Sequence, residues 1–323
     1  MKLIFQRDKK LKKQLLIIGI VALLVCVGFS GCTNIPFKIT NPLDTTPKYT
    51  LEELRTYALQ LINEDRANKS LNPVQLGYNT GAQIHAEDML RNRFLSHWGS
   101  DGSKPYMRYT IAGGNGSISE NAAYTGFYYD DPNAATIDAK TEIENQDHQM
   151  IYDNASSNWG HRDNILNKWH NKVNIGIAYD NTHLAFVQDF EDDYILWKNP
   201  ITYNNSILRL EGNTTLGSIE SIALYYDSPL QHLTQSELLD ISHSGSYGLG
   251  QEVGYIIPSP YYFDNISYVN AYQWSVDNSG SFSIAANVKS LLSKGNGVYT
   301  VGIWAKTNGE DLMLITYSIF IFK

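Results

Sequence analysis

Cysteine is almost absent from this chain: its only two, Cys26 and Cys32, fall within the first 32 residues. That excludes a disulfide framework and CxxC metal or redox chemistry from everything downstream. No GxSxG elbow and no HExxH pair occurs, which removes two familiar routes to hydrolysis. "GSYGLG", the one glycine-rich candidate for a phosphate loop, lacks the companion residues such loops need. Positive charge is also scarce, with 25 Lys and Arg against 33 Asp and Glu. Lys2, Arg7, Lys9, Lys10, Lys12 and Lys13 stand against Asp8 in the leader, so the formal charge of −8 becomes −13 for the remainder. So acidic a body argues against a nucleic-acid partner. With 22 tyrosines it does not resemble an acidic disordered chain either.

Long apolar runs are missing too, with one exception. "MKLIFQRDKKLKK" is followed by the uncharged stretch Leu15 to Phe29 and then by small residues, the pattern of an export signal or a short membrane anchor. Phe29, Ser30, Gly31 and Cys32 resemble a lipobox, which implies lipidation of Cys32, although phenylalanine stands where leucine is usual. Residues 1–31 therefore read as a signal peptide or membrane anchor, and residues 32–49, rich in Pro, Thr and Asn, as a linker. The body is expected outside the cell, tethered to the membrane, or secreted if the leader is cleaved. Sequons at Asn68, Asn115, Asn154, Asn204, Asn213 and Asn265 are compatible with export.

Structure is expected from Thr50. "TLEELRTYALQLINEDR" opens with a capping box, Thr50 with Glu53, and keeps apolar residues in helical register. "TGAQIHAEDMLRNRFLSH" reads as a second amphipathic helix, and "LNPVQLG" between them as a connector broken at Pro73. Residues 113 to 131 read as loop with one short element around Glu120, and about 136 to 154 as another helix. "KVNIGIAYDNTHLAFVQDF" alternates, turns at Asp180 and Asn181, and resumes, as a β-hairpin does.

Six of the eight histidines lie between His85 and His183. Within that region "INEDRANKSLNPVQL", "HAEDMLRNRFLSH", "DG", "SENAAYTG", "GHRDNIL" and "VNIGIAY…FVQDF" occur in an order and spacing that resemble the CAP superfamily, the cysteine-rich secretory, antigen 5 and pathogenesis-related group, in its prokaryotic SCP form. The resemblance implies a CAP/SCP domain over residues 50–192, an α-β-α sandwich with a surface cleft. It also implies a cleft constellation: His97 from "LSH" and His161 from "GHR" as metal ligands, Glu120 from "SEN" as a catalytic acid or base. For the second acid it implies Asp153 from "MIYD", with Glu144 competing for that place. Two imidazoles suit zinc or another divalent metal, weakly bound because a tight centre has three or four protein ligands. The opposing reading has His97 and His161 simply hydrogen-bonded to the carboxylates as structural pairs.

Other residues have blander expectations. His85, beside Glu87 and Asp88, reads as partly buried or surface-paired. Glu144 and His148 have the spacing of a solvated i,i+4 pair. Arg162 and Asp163 read as a local salt bridge or cap, Asn164 as a tie to neighbouring backbone. The tyrosines of "GFYYDD" suit either a groove wall or sheet packing.

Beyond residue 199 the composition turns to β-branched residues, tyrosine and turns. Seven strand-like runs, "SILRLEG", "SIESIALYYD", "EVGYIIP", "SYVNAYQWSV", "SFSIAANV", "GVYTVGIWAK" and "LMLITYSIFIF", predict an all-β, immunoglobulin-like sandwich over residues 199–323, interrupted by a helix at "LTQSELLD". The last run is apolar enough to need a central place in the core, since left at an edge it would invite aggregation. The whole is of α+β class. The expected function is binding of a lipid, peptide or cell-surface partner, with a labile divalent-metal site. A metal-dependent hydrolase or peptidase, and an adhesion or envelope-structural protein, are the alternatives.

Overall fold

A computed structural model of the protein describes residues 48–126, 136–153, 155–259, 262 and 264–322. The leader, its lipobox-like end and the tyrosines of "GFYYDD" lie outside the described residues. From Lys48 onward the chain forms one compact unit. No helix among the described residues is long and apolar enough to cross a membrane.

Helix α1 (Leu51–Ala67) starts where the capping box requires: Thr50 Oγ1 accepts from the Glu53 amide and Glu53 Oε2 accepts from the Thr50 amide. After it come β1 (Gln75–Leu76), α2 (Gly81–Asn92), α3 (Pro105–Ile111), β2 (Ser117–Gly126), α4 (Ala139–Tyr152), α5 (Gly160–Ile165), β3 (Lys172–Tyr179) and β4 (His183–Asp192). The strands form a sheet in the order β1-β3-β4-β2, with β1 parallel to β3 and the other pairs antiparallel. "PVQL" thus contributes a short strand rather than only a connector. The region from residue 117 is a ten-residue strand rather than loop, because pairing with β4 along its whole length outweighs the weak strand preference of its Ser, Asn and Gly.

The two faces of this sheet carry side chains of different size. Val173, Ile175, Ile177, Leu184, Phe186 and Phe190 pack with Leu54, Ala58, Ile62, Ile143 and Met150 of α1 and α4. Ala122, Ala178, Ala185 and Val187 face Ala82, Ala86 and Met89 of α2. Small residues let α2 approach closely, and at Gly176 a Cβ would lie 2.0 Å from the Ala82 carbonyl oxygen, so only glycine fits. Helices on both faces of one sheet make the α-β-α layering.

The remaining strands are β5 (Ile195–Trp197), β6 (Thr202–Asn204), β7 (Ile207–Thr214), β8 (Ser218–Asp227), β9 (Gln251–Ile257), β10 (Tyr268–Asn270), β11 (Gln273–Val276), β12 (Ser281–Asn287), β13 (Gly297–Thr307) and β14 (Glu310–Ile321). Short helices α6 (Gln235–Leu238) and α7 (Ile241–Ser244) lie between β8 and β9. One sheet runs β10-β9-β8-β13-β14 and the other β11-β12-β7-β5, with β6 also on β7. Leu208, Leu210, Phe282 and Ile284 from one sheet share a core with Ile222, Leu224, Val301 and Ile303 from the other, as in a sandwich.

The apolar final strand puts Leu314, Ile315 and Ile319 into the core as expected, yet β14 stands at the end of its sheet. Its free edge is nonetheless covered, by the N-terminal half of the chain. The Thr316 amide donates to the Gly116 carbonyl (3.0 Å) and the Ser318 amide to Thr110 Oγ1 (3.0 Å). Covering an edge is what keeps such a strand from pairing with another molecule, and here it also joins the sandwich to the α-β-α layers.

Candidate functional site

Two adjacent residues on β2, Glu120 and Asn121, build the site, because alternation along a strand sends them to opposite faces of the sheet. Glu120 is 5% exposed. Its Oε1 lies 2.8 Å from His97 Nδ1 and its Oε2 accepts from Arg108 Nη2 at 2.7 Å. Arg108 Nη1 also donates to the carbonyls of His97 (3.0 Å) and Ser103 (2.7 Å), tying the backbone beneath His97 to the same guanidinium. With Nδ1–H directed at the carboxylate, the Nε2 lone pair of a neutral His97 is left for another partner.

On the other face, Asn121 Nδ2 donates to the His161 carbonyl (3.1 Å) and to Gln188 Oε1 (3.1 Å), and Asn121 Oδ1 accepts from Asn164 Nδ2 (2.9 Å). Asn164 Oδ1 in turn contacts His170 Nε2 at 2.9 Å, and His170 Nδ1 lies 2.7 Å from Asp192 Oδ1. This chain of amides fixes α5, the helix that carries His161, against the strand that carries Glu120. Ahead of α5, Asn158 and Trp159 adopt left-handed backbone (φ 51° and 63°), and Arg162 stacks on the Trp159 ring at 5.1 Å. Arg162 is therefore a stacking partner rather than half of a salt bridge with Asp163.

His97, Glu120 and His161 line one cleft of about 830 Å³. Its far wall is Gly245, Ser246 and Tyr247, from the connection between α7 and β9. Tyr247 Oη accepts the Glu120 amide hydrogen at 2.9 Å, and its ring centroid is 4.8 Å from that of His97. The site is thus assembled from both halves of the chain.

Its electrostatics follow from burial. Desolvation would push the Glu120 carboxyl up, but Arg108, then His85 and His97, more than offset it and hold it below the usual range. Asp189, its cross-strand neighbour on β4, goes the other way: burial and then the Glu120 charge raise it well above the usual range, so of the two carboxyls Asp189 keeps the proton. Burial, and then nearby His97, lower His161 to about 4. His85 is fully buried, with Nε2 2.8 Å from the Ser96 carbonyl and 3.8 Å from Glu120 Oε1; burial, then Arg108, lower it to about 4. Its expected surface or half-buried position is corrected accordingly.

Asp153 is not brought to this cleft. It caps the C-terminus of α4, its side chain is 68% exposed, and it faces His148 Nδ1 at 3.7 Å. Glu144, its rival, accepts from Tyr57 Oη at 2.9 Å on an exposed face, so neither acid lines the cleft, and the expected Glu144–His148 pair gives way to Tyr57–Glu144 and His148–Asp153. Among the described residues no group of three or more His, Cys, Asp and Glu is arranged to hold a metal ion. The nitrogen donors that the cleft offers a cation are two imidazoles. Arg108, Asn121, Asp189 and Tyr247 went unread in the sequence, since their roles depend on strand register and on a contact more than a hundred residues distant. Only the alternation of "SEN" hinted that its glutamate and asparagine serve different faces.

Residues 59–190 match the sequence profile of the Cysteine-rich secretory protein family, CAP. No curated protein matches the chain. Among solved structures, the CAP domain of Enterococcal PrgA is similar at 15% identity, over 44% of this chain and 63% of that one, with a TM-score of 0.27. The match thus spans less than two thirds of that domain's length.

Proposed function

From residues 59–190, which belong to the cysteine-rich secretory protein (CAP) superfamily, we propose that the protein is an extracellular binding protein that takes a ligand or partner into the His97–Glu120–His161 cleft. The observation that carries this reading is the volume and construction of that cleft: about 830 Å³, with the His97 ring held by Glu120 and the His161 backbone carbonyl by Asn121. A held ring and an anchored helix around an open space are what a binding site requires and what a purely structural histidine–carboxylate pair does not.

The same cleft suits a labile divalent metal, zinc being the natural occupant for imidazole donors. His97 and His161 would hold it, water completing its shell, and Glu120 would act from behind His97 by fixing the ring. A bound cation supplies a Lewis-acidic point for an oxygen or nitrogen of the ligand. Glu120 is a poor general base in this arrangement, because both its oxygens are engaged and its ionised form is stabilised. Binding is therefore favoured over metal-assisted hydrolysis. The basic, apolar leader and Cys32 make tethering to the membrane the accompanying proposal for location.

Metal content and zinc titration against a chromophoric chelator test the site, on the wild type and on His97→Ala with His161→Ala. One zinc per chain, removable by EDTA and absent from the double variant, is expected; uptake unchanged in that variant would sink the proposal. For location, Cys32→Ala should release the protein from the membrane fraction if a lipid on Cys32 holds it there.

A further inference from the structure

We infer that the occupant of the cleft is an uncharged saccharide, gripped between the CAP elements and the segment 245–247; this rests on the reading of the cleft as a ligand site and names its ligand class. The lining decides the class. Asn158 and Asn167 bring side-chain amides to it and Ser119 and Ser246 two hydroxyls, with Asn121 and Asn164 behind them in the amide chain already described. Amides and hydroxyls both donate and accept, as sugar hydroxyls do, and groups of this kind orient a polar ligand by paired hydrogen bonds. Tyr247 adds its ring to this wall, and its position is fixed by the Glu120 amide.

Other classes meet specific obstacles. No lysine or arginine is among the lining residues, Arg108 is spent on Glu120, and Asp163 adds negative charge, so apart from a cation held by His97 and His161 a carboxylate or sulfate finds no counter-charge. An acyl chain or sterol laid on the amides would bury polar groups without partners, which is unfavourable. A peptide adding as an extra strand needs the open edge of β2. The outward amide of Glu120 there is already taken by Tyr247 Oη, and the Gly116 carbonyl by the Thr316 amide.

The test uses the full-length chain, with saturation-transfer NMR and calorimetric titration. The probes are chitotriose, maltotriose and mannotriose, beside myristate, a sulfated disaccharide and an acetylated tetra-alanine amide. Saturable binding of at least one neutral trisaccharide is expected, weakened tenfold or more by Asn158→Gly and by Tyr247→Ala. Asn158 already has left-handed backbone (φ 51°), so glycine removes the amide without backbone strain and decides the matter even if the tyrosine variant misfolds. Absence of binding for all three trisaccharides, or binding unchanged in Asn158→Gly, overturns the inference. If myristate or the peptide binds instead, and that binding is lost in His97→Ala with His161→Ala, the saccharide class is wrong while the cleft remains a ligand site. If no probe of any class binds, both readings fall.

Discussion

Replacing Arg108 with methionine strips the one permanent cation from a buried carboxyl pair, and its consequences can be worked through. Arg108 is 6% exposed and Glu120 5%. The substitution removes the 2.7 Å bond to Glu120 and the bonds to the His97 and Ser103 carbonyls, while Asp189 stays opposite on β4. Breaking a buried ion pair from one side is destabilising by about 3–5 kcal/mol, because the remaining charge is left uncompensated. The loss should depend on pH, and its sign can be checked. In the wild type the folded Glu120 carboxyl is depressed, so its contribution is present above the unfolded value near 4.5 and is lost as pH falls below it. Without Arg108, burial dominates and raises the folded carboxyl above its unfolded value, so destabilisation of the variant grows with pH between the two. If buried His85 takes the proton instead, its folded value rises and the sign is the same. The difference from wild type should therefore shrink by up to about 1.4 kcal/mol per pH unit on going from pH 8 toward pH 5. Urea unfolding at several pH values, followed by tryptophan fluorescence, measures it. Arg108→Met combined with Glu120→Gln should recover stability at pH 8, since a neutral amide leaves no naked charge. A loss below 1 kcal/mol, or one equal at pH 8 and pH 5, would refute the account of Glu120 as an ion held by Arg108.

Three further outcomes are expected. His85, lowered to about 4 against an ordinary 6.5, makes the folded state lose stability as pH falls through that window, by about 3 kcal/mol at most; in His85→Gln the pH 4 to 6.5 slope of unfolding free energy should flatten, and an unchanged slope would show that the ring does not titrate there. Asn121→Ala removes two donated bonds and one accepted bond beneath α5 and should destabilise by about 2–4 kcal/mol while shifting the NMR signals of the His161 ring more than those of His97; equal shifts would contradict the division of labour between the two faces. Thr110→Val takes away the hydroxyl that accepts from the Ser318 amide, and faster amide hydrogen exchange confined to β14, with a loss of about 1–2 kcal/mol, is the expected reading.

What could be read in advance was whatever a short window of sequence carries. Thr50 with Glu53 announced a helix start, and alternation from Lys172 to Tyr179 announced a strand, because caps and pleats are set by residues a few positions apart. Strand β2 was missed since its Ser, Asn and Gly have little preference of their own and take extended form from the partner β4. For "LITYSIFIF" the core place was legible but the cover was not: an apolar strand needs cover on its edge, and nothing local says whether a neighbouring strand or Thr110 and Gly116 provide it. The same limit governs the cleft. His97, Glu120 and His161 were legible as a motif set, yet what Glu120 can do depends on Arg108 from α3, Asp189 across the sheet and Tyr247 from the sandwich. A carboxylate flanked only by histidines would be a candidate base. Clamped by a guanidinium and backed by an acid that burial raises well above the usual carboxylate range, it becomes the fixed point on which one imidazole is aimed, and so the non-local contacts, more than the motif, are what favour the proposed binding role over a catalytic one.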